Sequence, residues 1–173
     1  MSAKATFGVW LLATLVLLGM MSWISKPLVN PVAPWGLFSW QFATTPARAQ
    51  AILASWDQRV QLLAAFGLGL DYLFMLAYAV TFRMACHWSA RQLGRQGLGR
   101  WLGGMVWIAA LMDGVENACL AIELIGRAVS PYPEVAAFSA GTKFTLLALA
   151  LGWILLGVLA LLRQKMRAVA GAP

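Results

Sequence analysis

The sequence predicts an all-α protein, a four-helix transmembrane bundle with both termini cytoplasmic and an amphipathic interfacial segment between its first two spans. Composition is the first reason. Of 173 residues, 61% are hydrophobic and 11% charged, against roughly 25% charged in soluble domains. The second is the presence of four apolar runs, each long enough at 1.5 Å per residue to match or exceed a hydrocarbon core of about 30 Å. The third is that four of the six acidic residues, Asp71, Asp113, Glu116 and Glu123, lie inside these runs. A carboxylate at the centre of a bilayer helix costs about 2.5–3.5 kcal/mol on insertion scales, so such groups pair, line a wet cavity or act.

The first run, residues 7–25, follows Lys4 and has a Leu-rich centre. Its charged start resembles a secretory leader, but no small-x-small cleavage site lies close behind it, Ala47-Arg48-Ala49 being too far downstream, so it reads as a retained span. Residues 62–82 form the second span, ending at Arg83. Residues 101–125 form the third, between Arg100 and Arg127, and residues 135–162 the fourth, after Pro131 and Pro133. The whole chain, 1–173, reads as a single integral membrane domain.

Basic residues orient the spans. Lys4, the 83–100 segment (Arg83, Arg91, Arg95, Arg100) and the C-terminus (Arg163, Lys165, Arg167) hold eight; Lys26, Arg48, Arg59 and Arg127 hold four on the other side. The positive-inside rule then puts both termini in the cytoplasm. The net charge of +7 serves this topology; no basic stripe or binding motif points to nucleic acid.

The 26–61 segment therefore faces outward. Pro27, Pro31 and Pro34 give an extended lead-in. Trp35, Phe38, Trp40 and Phe42 form an aromatic set suited to the headgroup belt. Thr45-Pro46 opens a short helix, about 46–57, whose Ile52, Leu53 and Trp56 share a face. Its expected role is an interfacial anchor or, through Trp35, Trp40 and Trp56, a lid over a site opening to the outer leaflet.

The candidate site lies within the spans. Asp113, Glu116 and Asn117 share one helical face at i, i+3, i+4, and Glu123 extends that stripe outward. A separate stripe, Ala110, Gly114 and Ala118, invites close approach of another helix. Counted from the outer ends, Asp71, Glu116, Asn117 and Lys143 lie within a few ångströms of one level, with Asp113 a turn deeper and Tyr78 two turns below Asp71. Three acids with one base would carry a charge of about −2 if all were ionised, which a low dielectric does not tolerate. Either a cation binds or a carboxyl is protonated. Lys143 is expected to pair with Glu116 or Asp71, with Ser139 one turn before it and Asn117 able both to donate and to accept.

The two cysteines, Cys86 and Cys119, lie at different depths, and with one histidine, His87, they make no metal-ligand spacing. No metal and no cofactor is expected. No HExxH, GxSxG, Walker A or CxxC pattern occurs. Gly94, Gly97 and Gly99 lack the strand-then-helix context of a phosphate cradle and read as a flexible turn. Nine tryptophans and the Lys26-Pro27 and Pro34-Trp35 pairs invite comparison with the Trp-rich outer-membrane translocator proteins, but those have five spans and this chain four.

Gly36-Leu37-Phe38-Ser39-Trp40-Gln41-Phe42-Ala43, Leu70-Asp71 with Phe74 and Tyr78, Asp113-Gly114-Val115-Glu116-Asn117 and Lys143-Phe144 together resemble short pieces of a loose group of small four-span bacterial membrane proteins without an assigned activity. The resemblance implies a bacterial inner-membrane location and a joint role for those positions. It also implies an acid at the place of Gln41, which this chain lacks, and it supplies no mechanism.

The expected function is a binding site for a proton, a small cation or a polar ligand, with transport as one setting. Asp113 and Glu116 would titrate, Asp71 would be a counter-charge, Lys143 the internal base and Tyr78 a lining donor. The expected partners are the lipid bilayer and either another membrane protein or a second copy. Two other classes stand beside this reading: a structural or accessory subunit of a membrane complex, and an intramembrane lipid-modifying enzyme.

Overall fold

The computed structural model describes residues 2–170, and among them there are six α-helices and no strand. Four of the helices are long and apolar enough to cross a membrane. In chain order the helices are α1 (Ala3–Ile24), α2 (Leu37–Gln41), α3 (Pro46–Ala54), α4 (Gln58–Leu93), α5 (Gln96–Ile122) and α6 (Tyr132–Ala170). All four long helices outrun the apolar cores read from sequence. α4 is the clearest case: at 1.5 Å per residue its 36 residues reach about 54 Å.

Helix ends follow local chemistry. Asp57 does not close α3, as the sequence suggested; its carboxylate caps α4 by accepting from the Val60 N–H at 2.8 Å. α3 stops at Ala54 instead, and Gln61 Nε2 donates to the freed carbonyls of Leu53 and Trp56 at 3.0 and 3.1 Å. At the other end of α4, Gly94 takes a left-handed conformation (φ 66°), the ordinary helix stop where no Cβ is present. The expected 83–100 loop thus shrinks to a tight turn at Gly94 and Arg95, and Gly97 and Gly99 belong to α5.

α4, α5 and α6 pack mutually, and α1 leans on α4 without substantial contact to α5 or α6. Residues 25–57 fold into a cap over one end of this bundle. Asn30 organises its start: its side-chain oxygen accepts from the N–H groups of Val32 and Ala33, and its amide donates to the Ser55 hydroxyl. Two apolar cores result. One joins the cap (Leu28, Trp40, Ile52, Trp56) to Leu68 and Leu120; the other joins Tyr78, Val106, Ala150 and Trp153 toward the Gly94 turn. Between them lies a polar layer.

The close-packing seam differs from the one expected. Ala118 is exposed and Gly114 merely touches Met75. The tightest approaches are Gly99 on Ala90 and Gly157 on Ser89, where an added methyl would overlap the neighbour, and Gly103 lies close against the His87 ring. These glycines lie nearer the Gly94 turn, where α4, α5 and α6 come together below the bulky polar layer.

Candidate functional site

Three helices supply the polar layer: Asp71 and Tyr78 from α4, Asp113, Glu116 and Asn117 from α5, and Lys143 from α6. All six are buried, with Lys143 at 4% and Glu116 at 0% exposure. Helical spacing on α5 turns Asp113, Glu116 and Asn117 to one face, as the i, i+3, i+4 pattern requires.

Lys143 bridges two carboxylates of α5. Its Nζ donates to Asp113 Oδ1 at 2.7 Å and lies 2.7 Å from Glu116 Oε2. The second contact is an ion pair outside hydrogen-bonding direction, since neither oxygen of Glu116 has a hydrogen-bond partner. The expected pairing with Glu116 is therefore present, whereas no ion pair with Asp71 forms among the described residues. Asp113, placed a turn deeper in sequence, is within reach because the lysine side chain is long and flexible. The Tyr78 hydroxyl donates to Asp113 Oδ2 at 2.9 Å, so this carboxylate is held from α4 and from α6.

Asp71 is the acid left over. Its Oδ2 accepts from Asn117 Nδ2 at 2.9 Å, a neutral donor in place of a charge. Lys143 is in ion-pair contact with Asp113 and Glu116, and Asp71 makes no ion pair among the described residues.

Acceptors outnumber donors here. Gln41 Oε1, Glu116 Oε1 and Asn117 Oδ1 are buried and meet no protein donor, whereas Glu116 Oε2 has the Lys143 ammonium beside it. Each such group costs about 1–3 kcal/mol if it stays unpaired. The site thus calls for donors or positive charge from outside the chain.

Gln41 belongs to this site although its helix, α2, is in the cap. It is 4% exposed and borders the same cavity as Asp71, Tyr78, Asp113 and Lys143. Its position was legible only through the short pieces resembling other four-span proteins. Beside it Phe38 and Phe42 pack on Phe144, ring centroids 5.7 and 6.2 Å apart, while Lys143 Nζ sits 4.8 Å from the Phe144 centroid.

The aromatic lid is only partly where the sequence put it. Trp35 is 77% exposed and borders the cavity. Trp40 and Trp56 are interior instead, in edge contact at 5.5 Å between centroids. Trp40 Nε1 donates to Glu123 Oε2 at 2.7 Å and Trp56 Nε1 to the Leu28 carbonyl at 3.0 Å. A buried indole needs an acceptor, and these two have found theirs within the protein rather than at a headgroup belt. Glu123, in the turn that follows α5, is therefore bound to the cap and separate from the lysine cluster.

The cavity has a volume of about 630 Å³ and lies between α1, the cap, α4 and α6. Leu11, Leu15 and Leu18 of α1 face Phe74, Phe82 and Leu147 across it. The two sides are joined at depth by Thr14 and Thr81, whose hydroxyls are 3.0 Å apart. No group of metal-ligating side chains occurs among the described residues.

Family models, curated proteins and solved structures give no match to this chain.

Proposed function

We propose that this chain is a multi-pass membrane protein that binds a proton, a small cation or a polar cationic group at the Asp71–Asp113–Glu116–Lys143 centre. One observation carries the reading: Lys143 is shared by Asp113 and Glu116, which leaves Asp71 with an amide partner and no ion pair of its own. A buried anion in that state is stabilised by taking up a cation or a proton. Lys143 holds two of the acids, Tyr78 and Asn117 orient Asp113 and Asp71, and Gln41 adds an acceptor. The chain lies in the bacterial inner membrane as one domain with both termini cytoplasmic, on the balance of basic residues and the likeness to small bacterial four-span proteins. The lipid bilayer is its surrounding partner, and a transport step is a natural setting for a cation site at this depth.

The test is a thermal-shift titration of the purified protein in lipid nanodiscs with methylammonium, potassium and sodium. At least one cation should raise the melting temperature, and Asp71→Asn and Glu116→Gln should abolish the rise. An identical response in both variants would remove the reading.

A second reading has its own support. The network ties α4 to α5 through Tyr78–Asp113 and Asp71–Asn117, and α5 to α6 through Lys143, as a register-fixing core of an accessory subunit would. That reading expects the double variant Lys143→Met with Glu116→Gln to keep normal expression and melting temperature, and the protein to co-purify with a membrane partner or a second copy.

A further inference from the structure

We infer that the cavity between α1 and α6 holds an amphiphile with a single protonated amine head on one unbranched apolar chain, its ammonium at Asp71 and Gln41. This rests on the cation-binding reading above and names its ligand.

The size of the cavity limits the occupant. Its α1 wall runs from Leu11 to Ser25, about 20 Å at 1.5 Å per residue. A volume of about 630 Å³ is within the about 300–1,000 Å³ usual for small-molecule sites, and an extended alkyl chain can lie along that length.

The polarity of the cavity is arranged along its length. α1 and α4 run antiparallel: Thr14 meets Thr81 and Ile24 reaches over Gly67. Interpolating between these contacts puts Asp71 opposite Met21, in the cap-end third of the cavity. Gln41 and Phe38 of α2 are at that end, and Trp35 and the exposed Lys26 stand at the rim. Below, Leu18, Leu15, Leu11, Phe74, Phe82 and Leu147 wall the cavity, interrupted by Tyr78 and by the Thr14–Thr81 pair. A charged head at one end and an apolar slot beneath it describe an amphiphile rather than a hydrated ion.

Charge and hydrogen bonding select the head. Asp71 has no cationic partner, and Gln41, 4% exposed, carries an oxygen that meets no protein donor. A primary ammonium brings one positive charge and three donors. The Phe38 and Phe144 rings close by offer π-faces to the same cation. Entry is sideways, because α1 makes no substantial contact with α6. Such a molecule comes either from a membrane lipid with an amine headgroup, one of its chains in the slot, or from a free lipophilic amine.

The experiment measures melting temperature and affinity in phosphatidylcholine nanodiscs with decylammonium, decanol and methylammonium as probes. Decylammonium should stabilise the wild-type protein and bind at least tenfold more tightly than methylammonium, while decanol should give no shift. Leu15→Trp, which fills the slot, should weaken decylammonium at least tenfold and leave the methylammonium response unchanged. Asp71→Asn should abolish both responses; Gln41→Leu carries the same test of the head if Asp71→Asn does not fold. Nanodiscs containing phosphatidylethanolamine that compete with decylammonium would support the lipid source, and unchanged decylammonium binding there the free amine. Equal affinity for methylammonium and decylammonium, or an unaffected Leu15→Trp, would overturn the amphiphile while leaving the cation site standing. A wild-type protein indifferent to every cation would overturn both.

Discussion

At the scale of single residues the chain stakes most on Lys143. It is the only base among three buried acids, and its ammonium lies 2.7 Å from two of them. Removing one partner of a buried ion pair is far costlier than never having the pair, because the stranded charge has nowhere to go. Lys143→Met should therefore destabilise the protein by about 3–5 kcal/mol in a denaturant-unfolding assay. Adding Asp113→Asn and Glu116→Gln to it should recover much of that loss. A Lys143→Met protein as stable as wild type would mean the acids are already neutral. The acids and the lysine were legible in the sequence, because charge inside an apolar run is conspicuous and helical spacing fixes which share a face. Their pairing was legible in part: the Lys143–Glu116 contact was expected, but counting residues gives depth and not the reach that brings the lysine and tyrosine side chains to Asp113. Gln41 and the Trp40–Glu123 bond were less legible still, since a loop's landing point on a helix 80 residues away leaves no periodic trace.

Among the elements, the four long helices could be read from hydropathy alone, and the structure extends each beyond its apolar centre. The extensions carry polar residues such as Arg91 and Gln92, invisible to a hydropathy criterion but held in helix by backbone continuity up to Gly94. The packing seam was misread because small residues recur in several stripes on one helix, and only the neighbour decides which is used. Gly157 makes the point testable. A methyl there overlaps Ser89 on α4, whereas one at Gly141 on the same helix meets nothing within 4 Å. Gly157→Ala should cost about 1–3 kcal/mol by overpacking, and Gly141→Ala should cost nothing measurable. Equal melting temperatures for the two variants would place the α4–α6 contact elsewhere.

The whole molecule is a polar layer held between two apolar cores, with α1 set off to leave a slot beside it. That arrangement needs a low-dielectric surround on its exposed apolar faces, which a bilayer provides. The proposed topology predicts that single cysteines at Ala54, in the cap, and Gln96, at the far turn, react with a membrane-impermeant maleimide from opposite sides in sealed cells and inverted vesicles. Cys86 and Cys119 are buried, so the background should be low; labelling of both positions from the same side would refute the topology. The bundle was predictable because four apolar runs of spanning length have few ways to pack. The slot was not, since it arises where α1 makes no substantial contact with α6, and no residue pattern announces a missing contact.

The most direct measurement is an experimental density map of the protein in lipid, at a resolution that shows side chains and small ligands. A site that takes up a cationic group should show non-protein density within hydrogen-bonding distance of Asp71 and Gln41, continuing down the slot between α1 and α6. A map in which α1 closes on α6, or in which Asp71 turns away from the lysine layer into lipid with nothing beside it, would contradict the account.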